Sequence, residues 1–401
     1  MVECVILAAG EGKRMRPLTG SRPKVMIPVA NQPMLEHLIN AIRDCGINEF
    51  ILVVGYQEAA VRHHFGDGSD FGVSIRYVTQ KRQRGTGDAV LNVLSHVNGE
   101  FLLLNGDMIL SREDIKAVLS SPSPALGICK SDHPQDFGVV TVTDGIITGL
   151  EEKSENPKSS LINAGLYLFN SDIFTHLKKI TPSPRGELEL TDALLPYIKL
   201  GSLHAVMLSS WADMGSPWDL LTANEVLLGS LSSCIEGEIE EGVVLKGAVQ
   251  VGKGTVVKAG TYIEGPCVIG KGCRIGPHAY IRGATAIGDN CHIGHSIELK
   301  NSIVMNNSNI PHFNYVGDSV IGSGCNFGAG TKIANLRHDK KCISAGGVDT
   351  RRKKFGAVIG DDVMFGINCS VNVGAIIGNR CRIAPHCFVS GVIADNSVVK
   401  R

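Results

Sequence analysis

The chain of 401 residues is predicted to fold as an α/β domain followed by a parallel β-helix. Three observations carry this prediction. The chain opens as strand, helix and strand, which is the βαβ arrangement of a parallel sheet. In the second half, aliphatic residues recur at every sixth position. Glycine is also denser over 235–401 than over the longer stretch 1–234, which places a boundary near 230–242.

The opening residues predict a buried strand followed by an anion-binding loop. Val2–Ala9 is an apolar run ending in small residues, and it leads into glycines and basic side chains. Such a strand end can wrap backbone N–H groups around a phosphate. Lys24 lies on a stiff segment between two prolines and can point at a fixed place. Apolar spacing over 34–42 then predicts a helix ending near Gly46, and Phe50–Val54 is the next buried strand.

Several motifs in this half resemble those of the sugar-1-phosphate nucleotidylyltransferases. Residues 7–15 read Leu-Ala-Ala-Gly-Glu-Gly-Lys-Arg-Met, and Arg22-Pro23-Lys24 follows. Later motifs arrive in the family's order: Gln80 with Gly85-Thr86-Gly87-Asp88, Asn105-Gly106-Asp107, Phe137-Gly138-Val139-Val140, Glu151-Glu152-Lys153, Leu161-Ile162-Asn163-Ala164-Gly165 and Trp211-Ala212-Asp213-Met214-Gly215. The resemblance extends over positions 1–225. It implies a Rossmann-like nucleotidyltransferase domain with a mainly parallel sheet.

The resemblance also implies roles for individual residues. Arg14 and Lys24 would be catalytic by holding phosphates, and Asp107 and Asp213 would bind Mg²⁺. The nucleotide would contact Gly10, Gly12, Gln80, Gly85 and Thr86, and the sugar phosphate would contact Gly138, Glu152, Lys153 and Asn163. One anion must attack another, so charge neutralisation and alignment do most of the work.

Some of these residues could instead have purely structural roles. Asp107 could be an ordinary turn residue, although its place after a strand favours a site. Lys153 could belong to a solvated charge cluster over 151–155. Residues 185–193 read as a helix start with a structural role, and 218–231 as a linking helix.

A six-residue ladder organises the second half. A period of six fits neither an α-helix nor a coiled coil, and it is typical of hexapeptide β-helices whose coils stack ~4.8 Å apart. The rungs are Leu245, Val251, Val257, Ile263, Ile269, Ile275, Ile281, Ile287, Ile293, Leu299 and Met305, and then Ile359, Phe365, Val371, Ile377, Ile383 and Val389.

The ladder is interrupted where chemistry is expected. Arg282 and Lys300 follow rungs one coil apart, so they should stack at one corner. Two stacked cations repel unless an anion is present, which predicts a phosphate site, unless both simply point to solvent. After Met305 the register slips near His312, which fits a general base. Rung spacing fails over 336–355, a basic stretch that is either a solvated insertion or an anion-binding arm, for example for coenzyme A.

These residues resemble the acetyltransferase half of the bifunctional N-acetylglucosamine-1-phosphate uridyltransferase/glucosamine-1-phosphate acetyltransferases. The resemblance implies a left-handed β-helix, a homotrimer with sites between subunits, and acetyl-CoA as co-substrate. His312 would be the base, Ala329 and Asn335 would contact acetyl-CoA, and the sugar phosphate would contact Arg282, Lys300, Tyr315, Asn326 and Lys354. Leu336 and Ile367 depart from the family pattern, in place of an aromatic and a small polar residue.

Composition excludes other classes. The 39 basic and 39 acidic residues leave a net charge near zero, which argues against nucleic-acid or membrane partners. The N-terminal apolar run is too short for a signal peptide, and no run reaches the ~18 residues of a membrane helix, so a cytoplasmic protein is expected. There is no Cys-x-x-Cys pair among twelve cysteines, and most occupy small ladder positions, which predicts reduced core residues.

The predicted layout is a nucleotidylyltransferase domain over 1–225, a linking segment over 226–242 and an acyltransferase β-helix over 243–401. The predicted function is acetylation of glucosamine-1-phosphate, or another amino-sugar-1-phosphate, and transfer of UMP or dTMP from UTP or dTTP to the sugar-1-phosphate. One alternative is a single-activity glucose- or mannose-1-phosphate nucleotidylyltransferase whose β-helix is structural or regulatory. Another is a translation-factor subunit with a degraded front site, against which the intact loop, Asp107 and Asp213 argue.

Overall fold

A computed structural model describes residues 2–400 of the protein as two compact units. The first unit comprises the residues up to Glu11, Pro23–Met26 and Met34–Asp213. The second comprises Gly12–Arg22, Ile27–Pro33 and the residues from Met214 onward. Two short segments near the N-terminus are therefore grouped with the β-helix, which no contiguous division of the sequence anticipates.

Among the described residues before position 230 there are strands and α-helices in alternation. The strands are β1 (Glu3–Ala8), β2 (Pro28–Val29), β3 (Gln32–Pro33), β4 (Glu49–Val54), β5 (Ser74–Thr79), β6 (Phe101–Asn105), β7 (Met108–Leu110), β8 (Ala125–Lys130), β9 (Gly138–Thr143), β10 (Ile146–Glu152), β11 (Leu161–Phe169), β12 (His204–Met207) and β13 (Trp211–Asp213). The helices are α1 (Met34–Arg43), α2 (Glu58–Phe65), α3 (Thr86–Leu91), α4 (Arg112–Leu119), α5 (Ile173–Leu177), α6 (Leu195–Lys199) and α7 (Asp219–Gly229). Short 3-10 helices cover Lys13–Met15, Lys24–Met26, Ser69–Phe71, Pro134–Asp136 and Leu190–Leu194.

The first unit is built on a nine-stranded sheet in the order β5-β4-β1-β6-β11-β8-β12-β10-β9. The strands β5, β4, β1 and β6 are parallel, as the βαβ pattern predicts, and the other half of the sheet adds antiparallel pairs. Alternate residues of β1 belong to cores on opposite faces, Ile6 to one and Val5 to the other. Burial on both faces explains why β1 reads as a continuous apolar run.

The second unit is the predicted left-handed parallel β-helix. Its strands are β14 (Cys234–Ile235), β15 (Glu238–Ile239), β16 (Val244–Lys246), β17 (Val249–Val251), β18 (Val256–Val257), β19 (Tyr262–Glu264), β20 (Cys267–Ile269), β21 (Arg274–Ile275), β22 (Tyr280–Arg282), β23 (Thr285–Ile287), β24 (His292–His295), β25 (Glu298–Lys300), β26 (Ile303–Val304), β27 (Asn309–His312), β28 (Tyr315–Gly317), β29 (Val320–Ile321), β30 (Asn326–Phe327), β31 (Lys332–Ile333), β32 (Ser344–Ala345), β33 (Val348–Asp349), β34 (Ala357–Ile359), β35 (Met364–Phe365), β36 (Ser370–Val371), β37 (Ala375–Ile377), β38 (Arg382–Ile383), β39 (Phe388–Val389), β40 (Val392–Ile393) and β41 (Val398–Val399).

Three parallel sheets form the faces of the β-helix. The first face runs from β14 to β40, the second from β15 to β41 and the third from β16 to β39. The predicted rungs, apart from Met305, line the interior as a single core, together with the cysteines of the ladder. All twelve cysteines are free thiols, as predicted.

The register departs from the six-residue rule earlier than predicted. Ile281 pairs with Leu299, as the rule requires, whereas Ile287 pairs with Val304 and not with Met305. One residue is therefore missing between Lys300 and Ile303. The prediction of Met305 as a rung is wrong, because Val304 takes that position in the core. Met305 is also buried, and its sulfur contacts the Arg22 guanidinium.

From Leu245 onward, the irregularities of the ladder fall at one corner, where a third-face strand leads to the next first-face strand. We call this the third corner. At the third corner a second residue is missing, between Val316 and Ile321. The basic insertion also begins and ends at this corner, between Ile333 and Ala357. The insertion forms the hairpin β32–β33, and Leu336 and Lys354 pair at its base.

The helix start predicted over 185–193 is wrong for most of its length. Residues 184–186 form a turn, and only Leu190–Leu194 is helical, as a 3-10 helix before α6. The backbone of Leu188 instead bonds to Arg84 and Gly87, so a tertiary contact overrides the local pattern. The linking helix predicted over 218–231 is confirmed as α7. Within residues 2–400, no helix is long and apolar enough to cross a membrane.

Candidate active sites

The front site is organised by an ion pair between Lys24 and Asp107. Asp107 lies in the turn after β6, where Gly106 N–H donates to the Leu7 carbonyl of β1 at 2.9 Å. Its Oδ2 accepts from Lys24 Nζ at 2.5 Å, and Lys24 is 9% exposed. The two residues that the sequence assigns to phosphate and metal are therefore neighbours at the carboxyl end of the central strands.

Asp213 is brought next to Asp107 by a short antiparallel ribbon. β13 pairs with β7 so that Asp213 lies opposite Met108, the residue after Asp107. Mg²⁺ prefers oxygen ligands and usually takes one or two carboxylates plus substrate phosphates. Two acids on neighbouring strands fit that donor set. The Lys24 ammonium beside Asp107 shows that a positive charge is accommodated next to this carboxylate.

Asp114 of α4 holds the other end of this ribbon. Its carboxylate accepts hydrogen bonds from Ser209 N at 2.7 Å and Ser210 N at 2.9 Å, just before β13 begins. Ser111, which caps α4 after β7, donates to it at 2.7 Å. Burial opposes ionisation of Asp114, but these hydrogen bonds outweigh it and lower its pKa.

The segment predicted to contact the nucleotide, Gln80 with Gly85 and Thr86, is packed against residues 188–190. Buried Gln80 donates through Nε2 to Asp88 Oδ2 at 2.9 Å and to the Gly85 carbonyl at 3.2 Å. Gly85 has a φ of 109°, and a β-carbon there would lie 2.5 Å from the Leu188 carbonyl oxygen, so only glycine fits. Thr86 accepts from Leu190 N at 3.1 Å. These side chains shape the segment through contacts within the chain.

Two of the four residues predicted to contact the sugar phosphate line a cleft of about 510 Å³. Its lining comprises Glu152, Lys153, Thr181, Pro182, Ser183, Pro184, Arg185, Glu189 and Asp192. Partial burial raises the pKa of the Glu152 carboxyl, although Arg185 opposes this shift. Gly138 backs this wall, because a β-carbon there would lie 3.1 Å from Glu152 Oε2. Asn163, on β11, donates to the Tyr167 hydroxyl at 2.8 Å and accepts from Gly165 N at 2.9 Å.

Three residues predicted for the front site remain: Gly10, Gly12 and Arg14. The last two belong to Gly12–Arg22, which we call the signature loop. Gly10 is exposed at the end of the first unit's opening segment. Gly12 has a φ of 66° before the 3-10 helix that carries exposed Arg14, and both belong to the second unit. Gly12 O accepts from Thr19 Oγ1 at 3.1 Å, which closes the loop on itself.

In the second unit, Arg282 and Lys300 stack at the third corner as predicted. They are register partners on β22 and β25. Each cation already has a carboxylate: Arg282 pairs with Glu298 at 2.7 Å, and Lys300 pairs with Asp318 at 3.0 Å. The argument that their repulsion requires an outside anion is therefore wrong, since internal carboxylates compensate both charges.

Asp318 is the centre of this corner. It is 3% exposed and accepts hydrogen bonds from Asn335 Nδ2 at 2.5 Å and Asn301 Nδ2 at 3.0 Å, besides the Lys300 ion pair. Tyr315 also lies here, since its hydroxyl is hydrogen-bonded by Asn335. Burial raises the Tyr315 pKa, and the nearby Glu298 and Asp318 carboxylates add to the shift.

The structure places the proposed base at a different corner of the same coil. His312 ends β27 on the second face and is exposed, and its register partner one coil earlier is His295. His312 and the Tyr315 backbone flank the corner between the second and third faces, whereas Arg282 and Lys300 lie at the far end of the third-face strands. Strands of about three residues separate His312 from the two cations by roughly 10 Å, and the Tyr315 side chain reaches from the His312 corner towards the third corner.

The other predicted acetyl-site residues are spread along later coils. Asn326 begins β30, where it pairs in register with Asn309 of β27, the strand of His312. Ala329 follows at the next corner, and its carbonyl accepts from Asn368 N at 2.8 Å. Lys354 is exposed at the base of the insertion.

Comparison with known proteins matches both units. The Nucleotidyl transferase family model covers residues 3–230, the GMPPB C-terminal domain covers 263–365, and the hexapeptide repeat of succinyl-transferase covers 356–385. The bifunctional protein GlmU of Methanococcus maripaludis is 46% identical over 99% of this chain and 97% of its own. A bifunctional sugar-1-phosphate nucleotidylyltransferase/acetyltransferase of Sulfurisphaera tokodaii is 40% identical over 97% of each chain. The chain belongs to this bifunctional transferase family.

A solved structure supports the same assignment for the front half. A Bacillus anthracis protein described as a putative glucose-1-phosphate thymidylyltransferase is 32% identical, with a TM-score of 0.53, over 56% of this chain and 95% of its own. Full-length membership of the bifunctional transferase family favours the two-reaction interpretation over a single nucleotidylyltransferase with an inert β-helix. It also makes the protein an enzyme rather than a translation-factor subunit.

Three acids that organise these sites were not predicted from the sequence. Asp114 holds the β7–β13 ribbon, Asp318 pairs with Lys300, and Glu225 of α7 accepts from Asn301 at 2.8 Å and from Arg352 at 2.5 Å. Asp318 left a signal, since it follows Val316-Gly317 at a corner that loses a residue. Asp114 and Glu225 left none, because each reads as an ordinary charge on a helix.

Proposed function

We propose that the protein acetylates glucosamine-1-phosphate, or another amino-sugar-1-phosphate, with acetyl-CoA on its β-helix. It then joins the product to UMP or dTMP from the nucleoside triphosphate at its front site, with release of pyrophosphate. The observation that carries the proposal is the pair of separate ionic sites, Lys24 with Asp107 and Lys300 with Asp318, in one chain of the bifunctional family. A β-helix that served only as a scaffold would have no use for the second.

In acetyl transfer, the amine nitrogen of the sugar attacks the acetyl carbonyl, and the C–S bond to coenzyme A breaks. His312 takes the proton that the amine loses, since imidazole has a pKa near working pH. Arg282 and Lys300 hold the sugar phosphate, and the carboxylates that now pair with them keep both side chains in place beforehand. The exposed amines of the insertion attract the coenzyme A phosphates, and Lys354 at its base contacts the sugar phosphate.

In nucleotidyl transfer, a phosphate oxygen of the sugar-1-phosphate attacks the α-phosphorus, and pyrophosphate leaves with the electrons of the broken P–O bond. Lys24 and Arg14 neutralise phosphate charge, and no protein nucleophile is needed. Glu152 and Asn163 orient the sugar. Asp107 and Asp213 would hold a Mg²⁺ ion, which when bound would add to the neutralisation of the developing charge.

The acetyl-transfer half is tested by thiol release from acetyl-CoA with glucosamine-1-phosphate. His312→Ala should lose about 10²- to 10⁴-fold in kcat, the usual contribution of a general base. His295→Ala is the matched control, because it removes the register partner one coil earlier. An inactive wild type would refute this half of the proposal, as would equal losses in the two variants.

The nucleotidyl-transfer half is tested by pyrophosphate release with N-acetylglucosamine-1-phosphate and either UTP or dTTP, which also settles the nucleotide. Asp107→Ala should abolish pyrophosphate release while acetyl transfer continues. Loss of both reactions in Asp107→Ala would mean that the two sites are not independent.

A further inference from the structure

The signature loop of the front site is held by the β-helix. Within the second unit, Gly12–Arg22 is anchored by two polar residues of later coils, Asp361 and Asn379. The Arg22 guanidinium donates to Asp361 Oδ2 at 2.7 Å, and Ser21 Oγ donates to the same oxygen. Asn379 Nδ2 donates to the Pro17 carbonyl at 3.0 Å.

Both anchors are buried, and each is held by a further hydrogen bond within the β-helix. Asp361 is 7% exposed, and its other oxygen accepts from Ser323 N at 2.8 Å. Asn379 is 4% exposed, and its Oδ1 accepts from Asp361 N at 2.8 Å. Removing one member of a buried ion pair leaves the other charge uncompensated, so this contact is costly to break.

The anchored segment itself is tightly fitted. Met15, Leu18 and Thr19 are almost fully buried. A β-carbon on Gly20 would lie 2.7 Å from Asn379 Nδ2, so the loop approaches the anchor as closely as glycine permits. Arg22 opens the Arg-Pro-Lys motif, which continues directly through Pro23 to Lys24.

We propose that Asp361 and Asn379 are positioning residues for nucleotidyl transfer, although they lie in the β-helix. They fix the loop that carries Arg14 and leads to Lys24, the two phosphate-holding residues. The inference rests on the proposed function of that loop. Because small displacements of positioned groups can cost orders of magnitude in rate, loosening the anchor should slow phosphate chemistry.

The test compares Asp361→Asn with Asp362→Asn, the same change at the next residue, whose side chain is exposed. Asp361→Asn should lower kcat/KM for the nucleoside triphosphate about tenfold and leave acetyl transfer within about twofold of wild type. Asp362→Asn should change neither. Arg22→Gln combined with Asp361→Asn should be no worse than either alone, since the pair is already broken.

Hydrogen exchange over residues 12–22 provides a readout that does not depend on catalysis. It should be faster in Asp361→Asn and unchanged in Asp362→Asn. Unchanged exchange and unchanged nucleotidyl transfer in Asp361→Asn would overturn the inference, and so would an equal fall in both activities. If the wild type transferred no nucleotide, the proposed function would fail, and the exchange result alone would decide whether the anchor exists.

Discussion

The side chain that governs the β-helix site is the buried carboxylate of Asp318. It faces Lys300, Asn301 and Asn335 at once, and the Lys300 side chain is itself only 15% exposed. The ion pair therefore lies in a region of low dielectric, where its loss is not screened by water. The carboxylate therefore fixes the direction of the Lys300 ammonium.

Asp318→Asn should raise KM for the amino-sugar-1-phosphate in acetyl transfer, because Lys300 loses its fixed partner. Breaking a buried pair costs about 3–5 kcal/mol, so the melting temperature should also fall by several degrees. Nucleotidyl transfer should be unchanged. Asp339→Asn, which breaks an exposed pair with Arg337, is the control and should alter neither quantity. An unchanged KM in Asp318→Asn would contradict this role.

At this scale the sequence predicts residue types better than partners. The stacking of Arg282 on Lys300 follows from a spacing of three hexads and is correct. The partners Glu298 and Asp318 do not follow from it, since they reach the cations from neighbouring coils through side-chain geometry that no spacing records. For the same reason the electrostatic argument for an outside anion failed although its geometric premise held.

At the scale of elements, the two-stranded ribbon β7–β13 depends on a single acid in α4. Asp114 accepts from Ser209, Ser210 and Ser111, and these bonds lower its pKa from an ordinary value of 3.8 despite burial. A carboxyl whose pKa is lower in the folded state stabilises the fold above its unfolded pKa. That contribution is lost as pH falls through the lower folded pKa.

Asp114→Asn should therefore reduce the free energy of unfolding by about 2 kcal/mol near pH 7, since hydrogen bonds to a charged group are lost. The melting temperatures of variant and wild type should converge below pH 3.8, where the native carboxyl becomes protonated. Asp144→Asn, in the exposed turn between β9 and β10, is the control and should show no such convergence. A constant difference down to pH 2 would contradict the ionised role of Asp114.

The basic insertion is tied to the linking helix α7. Arg352 bonds to Glu225 at 2.5 Å and to Thr222 at 2.8 Å, and it lies shortly before Lys354 in the sequence. Arg352→Gln should free the insertion and raise KM for acetyl-CoA about fivefold to tenfold, because a mobile cationic arm must be ordered on binding. Lys353→Gln, which removes the same charge from the neighbouring exposed residue, is the control. Equal effects of the two substitutions would mean that charge alone matters.

The ladder illustrates what periodicity can and cannot predict about elements. A repeat of six identifies the rungs and the small cysteine positions because every coil imposes the same packing. The repeat predicted that the register changes after Met305, whereas it changes before Ile303. One missing residue moves the following rungs by one position, and the change is hidden because Val304 and Met305 are both apolar. The turn over 184–186 was missed because its determinant is the backbone of Leu188 against residues 84 and 87.

For the whole molecule, the division into units does not follow the chain. Gly12–Arg22 and Ile27–Pro33 are grouped with the β-helix. Asn31 donates to the Ile287 carbonyl, and Ala30 N donates to Asn224 of α7. Together with the bonds of Arg22 to Asp361 and of Asn379 to the Pro17 carbonyl, these contacts bond both segments within the second unit. Folding of the N-terminal signature is in this way coupled to coils that lie far later in the sequence.

A fragment covering positions 1–225 should therefore be less stable than its sequence suggests. Leu18, Ile27 and Val29 are almost fully buried and belong to the second unit, so a fragment without the β-helix would leave them without most of that unit. Arg22 would also lose Asp361. Burial of such side chains contributes about 1.5–3 kcal/mol each, so the loss is large against typical domain stability. We expect a melting temperature lower by ten degrees or more and aggregation in gel filtration, measured against the full chain. A monomeric fragment with full pyrophosphate release would show instead that the first unit holds its signature loop unaided.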